Sequence, residues 1–225
     1  MSLPKACIFD LDGVIVDTVP AHFTAWKAMA DELNIPFSEE ENEHLKGVSR
    51  VDSMKRILAM GNMEKSDQEI LDYTTRKNDI YVEIISKMTP TDILPGVLDF
   101  IDLLRQHDIA IAIGSSSKNT PTILKAVGLD KTFDAIVDGN QVTHSKPDPE
   151  VFLKGAAQLH FSPEECIVLE DAISGVEAAK RGGMKCVGVG DANVLNAADV
   201  VVTDMTELNI DFLKALYTNE ELHQA

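Results

Sequence analysis

The stretch Phe9-Asp10-Leu11-Asp12-Gly13-Val14 decides how this chain is read. It closes a short run, Ala6-Cys-Ile-Phe9, that is apolar at successive positions instead of alternating. Uniform apolarity in so short a run marks a strand buried on both faces, as in a parallel sheet. Asp10 and Asp12 stand two residues apart, so in extended chain their side chains leave on the same side. At the C-terminal tip of a strand they share one cavity. Two carboxylates that close repel each other unless a cation or proton offsets them. An all-oxygen pair suits a hard divalent ion, with magnesium the usual choice beside phosphate. One carboxylate can then attack a phosphoryl group while the other moves protons. The plainer alternative is that both acids only cap the turn before Gly13.

Further apolar runs repeat the pattern at Ile109–Ile113, Phe133–Val137, Cys166–Leu169, Cys186–Val189 and Asp199–Val202. Helix start signals fall between them. Asp148-Pro149 reads as an N-cap followed by proline in the first turn, and Ser162-Pro-Glu-Glu165 as a capping box. Strand alternating with helix implies an α/β sheet with its site at the strands' C-terminal ends.

Residues 19–86 break the rhythm. No strand-like run occurs there, and four helical patterns fill the segment. The first carries Phe23, Trp26, Ala30 and Leu33 on one face; a polar second spans Ser38 to Lys46. The third starts at Ser49-Arg-Val-Asp52, and the fourth starts at Ser66-Asp-Gln-Glu69 and runs about five turns. The expected organisation is an α/β core of residues 1–18 and 87–225 with a helical cap, residues 19–86, inserted after the first strand. Such a cap would cover the sheet's catalytic edge.

Composition narrows the function. The chain has 225 residues and a net charge of −17, with 37 acids against 20 bases. That opposes nucleic-acid binding, which needs a basic face, and opposes an anionic membrane surface. No apolar run approaches the roughly 18 residues of a membrane span. Cys7, Cys166 and Cys186 lie in separate apolar runs without ligand spacing, which suits reduced core thiols in a cytoplasmic protein. A monomer acting on small molecules is expected.

Four ordered motifs carry a family resemblance. Phe9–Val14, Ile113-Gly114-Ser115, Lys146-Pro147 and Glu170-Asp171 together resemble the motifs of the haloacid dehalogenase superfamily of phosphotransferases, over nearly the whole chain. The resemblance implies a Rossmann-like parallel sheet with an inserted helical cap. It implies Asp10 as nucleophile, Asp12 as general acid and base, and magnesium held by Asp10, the Asp12 carbonyl, Glu170 and Asp171. It also places the transferring phosphate on Asp10, Ser115, Ser116 and Lys146. Asp12 makes dehalogenation improbable, because true dehalogenases of the superfamily lack that second aspartate. Read alone, each motif has a plainer role: Ser115 a strand-end turn, Lys146 a loop lysine, Asp171 a helix cap.

Residues of the cap refine the resemblance. Phe9–Thr18, His22–Trp26, Lys46–Arg50, Arg76–Asp79 and Ser115–Asn119 are similar to the sugar-phosphate mutases of the superfamily. That similarity implies interconversion of β-D-glucose 1-phosphate and glucose 6-phosphate through a bound 1,6-bisphosphate. A second phosphate would fall to Arg50, Ser117, Lys118 and Asn119. His22, Trp26, Gly47, Val48, Ser53 and Lys77 would serve cap closure and substrate contact. Lys77 sits amid Ile70, Tyr73, Tyr81 and Ile84 on one helical stripe. It either snorkels outward or reaches a polar cleft. Ser116 and Val16 depart from the pattern, where a small apolar residue and a threonine are common. A small-molecule phosphatase would share every core residue. A second anion site is what separates the mutase reading from it.

Overall fold

The computed structural model describes residues 3–46 and 48–218. Six parallel strands form one sheet: β1 Ala6–Phe9, β2 Ala110–Gly114, β3 Ala135–Val137, β4 Cys166–Glu170, β5 Lys185–Val189 and β6 Val200–Val202. Their order is β3-β2-β1-β4-β5-β6. The order reverses beside β1, which pairs with β2 on one side and β4 on the other. Ligands in open α/β sheets bind at this reversal, outside the strands' carboxyl ends.

The strands explain their own composition. Cys7 and Phe9 face one apolar cluster with Ile111, Ile113, Ile167 and Leu169. Ala6 and Ile8 face another with Ala112, Cys166, Val168 and Cys186. Both faces are covered, so a polar side chain in mid-strand would be stranded without a partner. The three cysteines are free and buried. Burial pushes all three thiols up, that of Cys166 to about 12, so they remain protonated core groups.

Between β1 and β2 come four helices: α1 Val19–Glu32, α2 Glu39–Glu43, α3 Arg50–Met60 and α4 Asp67–Ile85. Ser38 with Glu41 and Ser66 with Glu69 close capping boxes on α2 and α4, and Ser49 accepts from the Asp52 N–H at the start of α3. The core helices are α5 Val97–Gln106, α6 Thr120–Ala126, α7 Glu150–Gln158, α8 Ile173–Arg181 and α9 Ile210–Thr218. The upper parts of α1 and α4 share an apolar cluster with α3, formed by Trp26, Met29, Met54, Ile57 and Ile70. Their roots belong instead to the sheet's cluster, through Ala21, Ala25, Tyr81 and Ile85.

Several local expectations shift. The buried stripe of α4 is Ile70, Thr74, Lys77, Tyr81 and Ile85, with Tyr73 and Ile84 only half-buried at its flanks. Spacings of three and four residues keep that stripe on one face through five turns. On α1 the buried face is Ala21, Ala25, Trp26, Met29 and Ala30, and Phe23 and Leu33 are half-buried. The Ser162 box caps a 3-10 turn, Pro163–Glu165, because β4 begins at the next residue. Asp148 is not the N-cap of α7; Pro149 is, and the Asp148 carboxylate accepts from the Glu150 N–H.

Candidate active site

Asp10 follows β1, and its N–H donates to the Leu169 carbonyl of β4, which fixes it beside Glu170, the last residue of that strand. Asp171 comes next. Carboxylate oxygens of Asp10, Glu170 and Asp171 lie within 4.8 Å of one another. Burial raises the carboxyls of Glu170 and Asp171, and the neighbouring Asp10 charge adds to it. Two lysines oppose this. Lys146 donates to Asp10 Oδ1 at 2.5 Å and to Glu170 Oε2 at 2.8 Å. Lys46, after α2, lies 3.2 Å from Asp171 Oδ2. Burial alone would discharge Lys146, but Asp10 and Glu170 hold it protonated. It also sits 4.6 Å above the Phe152 ring, so the loop lysine is a buried cation.

Two glycines make room for the acids. A Cβ on Gly13, at φ +80°, would fall 2.2 Å from Asp171 Oδ2. One on Gly175 would fall 2.0 Å from Glu170 Cδ. The turn after β1 and the first turn of α8 thus approach the carboxylates closer than any side chain permits. Asp171 caps no helix: Ala172 is the N-cap of α8, with no side-chain cap bond.

Asp12 faces the cap. Its Oδ1 accepts from Thr18 Oγ1 and from Tyr81 Oη of α4. Burial and the Asp10 charge raise its carboxyl to about 6, against the pull of Thr18, Tyr81 and Lys146. That is the range in which a carboxyl exchanges protons near neutrality. His22 Nε2 lies 3.9 Å from the same oxygen, and its Nδ1 is 3.0 Å from Lys77 Nζ. Lys77 therefore does not snorkel. It is buried 4.7 Å over the Trp26 ring and 4.5 Å over the Tyr81 ring. Burial lowers its amine to about 7, with Arg50 adding to it, and burial and Lys77 lower the His22 imidazole.

Ser115 follows β2 and is fully buried, its Oγ accepting from the Ser117 N–H. Ser117 Oγ in turn accepts from the Asn119 N–H. Asn119 donates to Asn78 of α4 at 3.0 Å, tying this loop to the helices between β1 and β2. Arg50 opens α3 and makes no ion pair with any described carboxylate. Every described site residue expected from the sequence lines one cavity of about 440 Å³ between the sheet edge and the inserted helices. Of the expected site residues, Gly47 lies outside the described residues. Thr18, Tyr81, Lys46 and Asn78 are additions. Their signal was present but mute: Thr18 ends the first matched segment, and Tyr81 falls one turn from Lys77.

Buried carboxylates, a buried lysine and a cavity at the sheet's reversal point are an arrangement suited to phosphoryl transfer, and comparison with known proteins gives the family. Residues 7–189 match the model of the haloacid dehalogenase-like hydrolase family, and the chain belongs to that family. It is 44% identical over 211 residues to the β-phosphoglucomutase of Bacillus subtilis (strain 168), covering 93% of each chain. It is 30% identical to a phosphorylated carbohydrates phosphatase of Thermotoga maritima, over 93% of this chain and 98% of that protein. A crystal structure of β-phosphoglucomutase from Clostridium difficile matches with a TM-score of 0.91 at 37% identity, covering 96% of this chain and 98% of the other.

Proposed function

We propose that the chain is a magnesium-dependent β-phosphoglucomutase, interconverting β-D-glucose 1-phosphate and glucose 6-phosphate through β-glucose 1,6-bisphosphate. The observation that carries this is the Arg50 guanidinium of α3, without an ion pair among the described residues and lining the same cavity as Asp10, Ser115 and Lys146. One cavity with anion-binding groups on opposite walls accepts a bisphosphate in either orientation. A phosphatase, the runner-up, needs only the core wall.

In this reading a carboxylate oxygen of Asp10 attacks the C1 phosphorus of the bisphosphate, and the bond from phosphorus to the sugar oxygen breaks, releasing glucose 6-phosphate. Asp12 gives its proton to that leaving oxygen. In the other half-reaction the C6 hydroxyl of glucose 1-phosphate attacks the phosphorus on Asp10, the bond from that phosphorus to the Asp10 oxygen breaks, Asp12 takes the hydroxyl proton, and the bisphosphate is formed again. A carboxyl near 6 suits both directions. Ser115, Ser116 and Lys146 hold the transferring phosphoryl group; Arg50, Ser117, Lys118 and Asn119 hold the other phosphate. Trp26, Val48, Ser53, His22 and Lys77 form the cap wall that excludes water, so that the phosphoryl group passes to sugar.

Three converging carboxylates, all oxygen donors, fit a hard divalent cation. Asp10, Glu170 and Asp171 would hold magnesium, with the Asp12 carbonyl as a further oxygen. When bound, the ion neutralises charge on the acids and the transferring group. The partners are small sugar phosphates, in the cytoplasm, and the protein acts as a monomer. Core residues 1–18 and 87–225 carry the chemistry, and cap residues 19–86 close over it.

The test follows β-glucose 1-phosphate with magnesium and catalytic bisphosphate, scoring glucose 6-phosphate and free phosphate together. Glucose 6-phosphate should dominate, and Asp10→Asn should lower it by about three orders of magnitude or more, as loss of a nucleophile does. Free phosphate as the main product would favour the phosphatase.

A further inference from the structure

The cap's wall of the cavity holds a polar group that the mechanism above does not use. Asn42 of α2 is 4% exposed, and it lines the cavity. Its backbone is spent in the helix, its N–H donating to the Ser38 carbonyl. Its side-chain amide makes no hydrogen bond to any described residue. Ser53 of α3, 2% exposed and lining the same cavity, is equally without a side-chain partner among the described residues. The remaining buried polar groups of the cap are engaged: Thr74 donates to the Leu71 carbonyl, and Lys77 meets His22. Neither Asn42 nor Ser53 is sealed off, because the one fully enclosed unsatisfied side-chain atom among the described residues is Ser174 Oγ. Their polar atoms therefore keep some exposure, and both residues line the cavity.

An amide carries two donors and two acceptor sites, and burying them unused costs stability. A solvated position on a short acidic helix would have removed that cost, yet Asn42 is buried on the wall of the cavity, which Trp26 and Leu45 also line. We infer that Asn42 reads a ring hydroxyl of the bound sugar, making it a specificity residue that separates hexose phosphates from other phosphate esters. The inference rests on the sugar-phosphate reading above and deepens it. The chemistry is selective. A hydroxyl donates and accepts at once, which the carboxamide matches, whereas a phosphate only accepts. Ser53, on the neighbouring helix, offers a second such group.

The experiment compares wild type with Asn42→Ala on glucose 1-phosphate and its 2-, 3- and 4-deoxy analogues. Asn42→Ala should lower kcat/KM for the parent sugar about tenfold, the scale of one hydrogen bond. One deoxy analogue should lose a similar factor with wild type and lose nothing further with the variant. Phosphorylation of Asp10 by acetyl phosphate, which has no ring hydroxyl, should be unchanged. Asn42→Leu supplies the second readout. Removing an unused buried amide should leave the melting temperature equal or higher while kcat/KM still falls. Equal deoxy penalties in wild type and variant would overturn the inference. So would a lowered melting temperature with acetyl phosphate and sugar reactions falling together. Failure of the sugar-phosphate reading looks different: wild type would accept acetyl phosphate and transfer to none of the sugars, and the inference would go with it.

Discussion

At Asp12, burial and the adjacent Asp10 charge lift the carboxyl to about 6. The folded state therefore binds this proton more tightly than the unfolded chain, whose aspartate titrates near 3.8. The sign follows from linkage: the proton's contribution to stability is full below about pH 4 and is lost as pH rises through 6. Asp12→Asn removes that loss. In magnesium-free protein, the variant is expected to be more stable than wild type at pH 8, by at most about 3 kcal/mol. The gap should shrink as pH falls below 6 and close below about pH 4. Melting curves at the two pH values check this, and a constant gap would contradict it. Asp10 and Asp12 were legible as a pair because a two-residue spacing has few geometric outcomes. Their different neighbours were not. Tyr81 and Thr18 reach Asp12 from the cap side, and Lys146 reaches Asp10 from a distant loop. Spacing says nothing about such meetings.

Elements show a similar division. The box at Ser66 and the cap at Ser49 set the starts of α4 and α3 correctly, because capping is a local contest over a few N–H groups. Which face each helix buries depends on packing partners that periodicity alone does not reveal. Thr74 and Ala25 are buried where Tyr73 and Phe23 are only half-buried. Lys77 is the exception that matters: a lysine in an apolar stripe leaves snorkelling and a polar cleft both open, and its amine is buried against His22, Trp26 and Tyr81. Arg50 depends on where α3 begins. Ser49 accepts the Asp52 N–H, which places the guanidinium at the helix's first residue, on the cavity. Arg50→Ala removes a charge-assisted contact of about 1.5–3 kcal/mol to the second phosphate. Mutase turnover should fall by about one to two decades, while phosphorylation of Asp10 by acetyl phosphate stays near wild type. A coupled glucose 6-phosphate assay beside an acetyl phosphate assay reads both.

On the scale of the molecule, a chain of net charge −17 gathers three carboxylates at the sheet's reversal point and answers them with one lysine from each side. Lys146 comes from the core and Lys46 from the cap segment. The parallel sheet and the position of the helical insert were legible, since both follow from where apolar runs stop and resume. The ionic and amide ties between cap and core, Lys46 to Asp171 and Asn78 to Asn119, were not, because they join surfaces that meet only after folding. The acids have a thermodynamic consequence. Burial lifts Glu170 and Asp171 well above ordinary carboxylates, so near neutrality part of the cluster is protonated without a metal. Magnesium requires ionised oxygens, so its binding must expel those protons. Calorimetric titration of magnesium at pH 7 should give a heat that varies with the ionisation enthalpy of the buffer. The dependence should fade as the pH is raised and the acids ionise beforehand. Saturating magnesium should also raise the melting temperature, since only the folded chain assembles the cluster. A heat at pH 7 that is identical across buffers would mean the three carboxylates are already ionised, with the two lysines alone offsetting their repulsion.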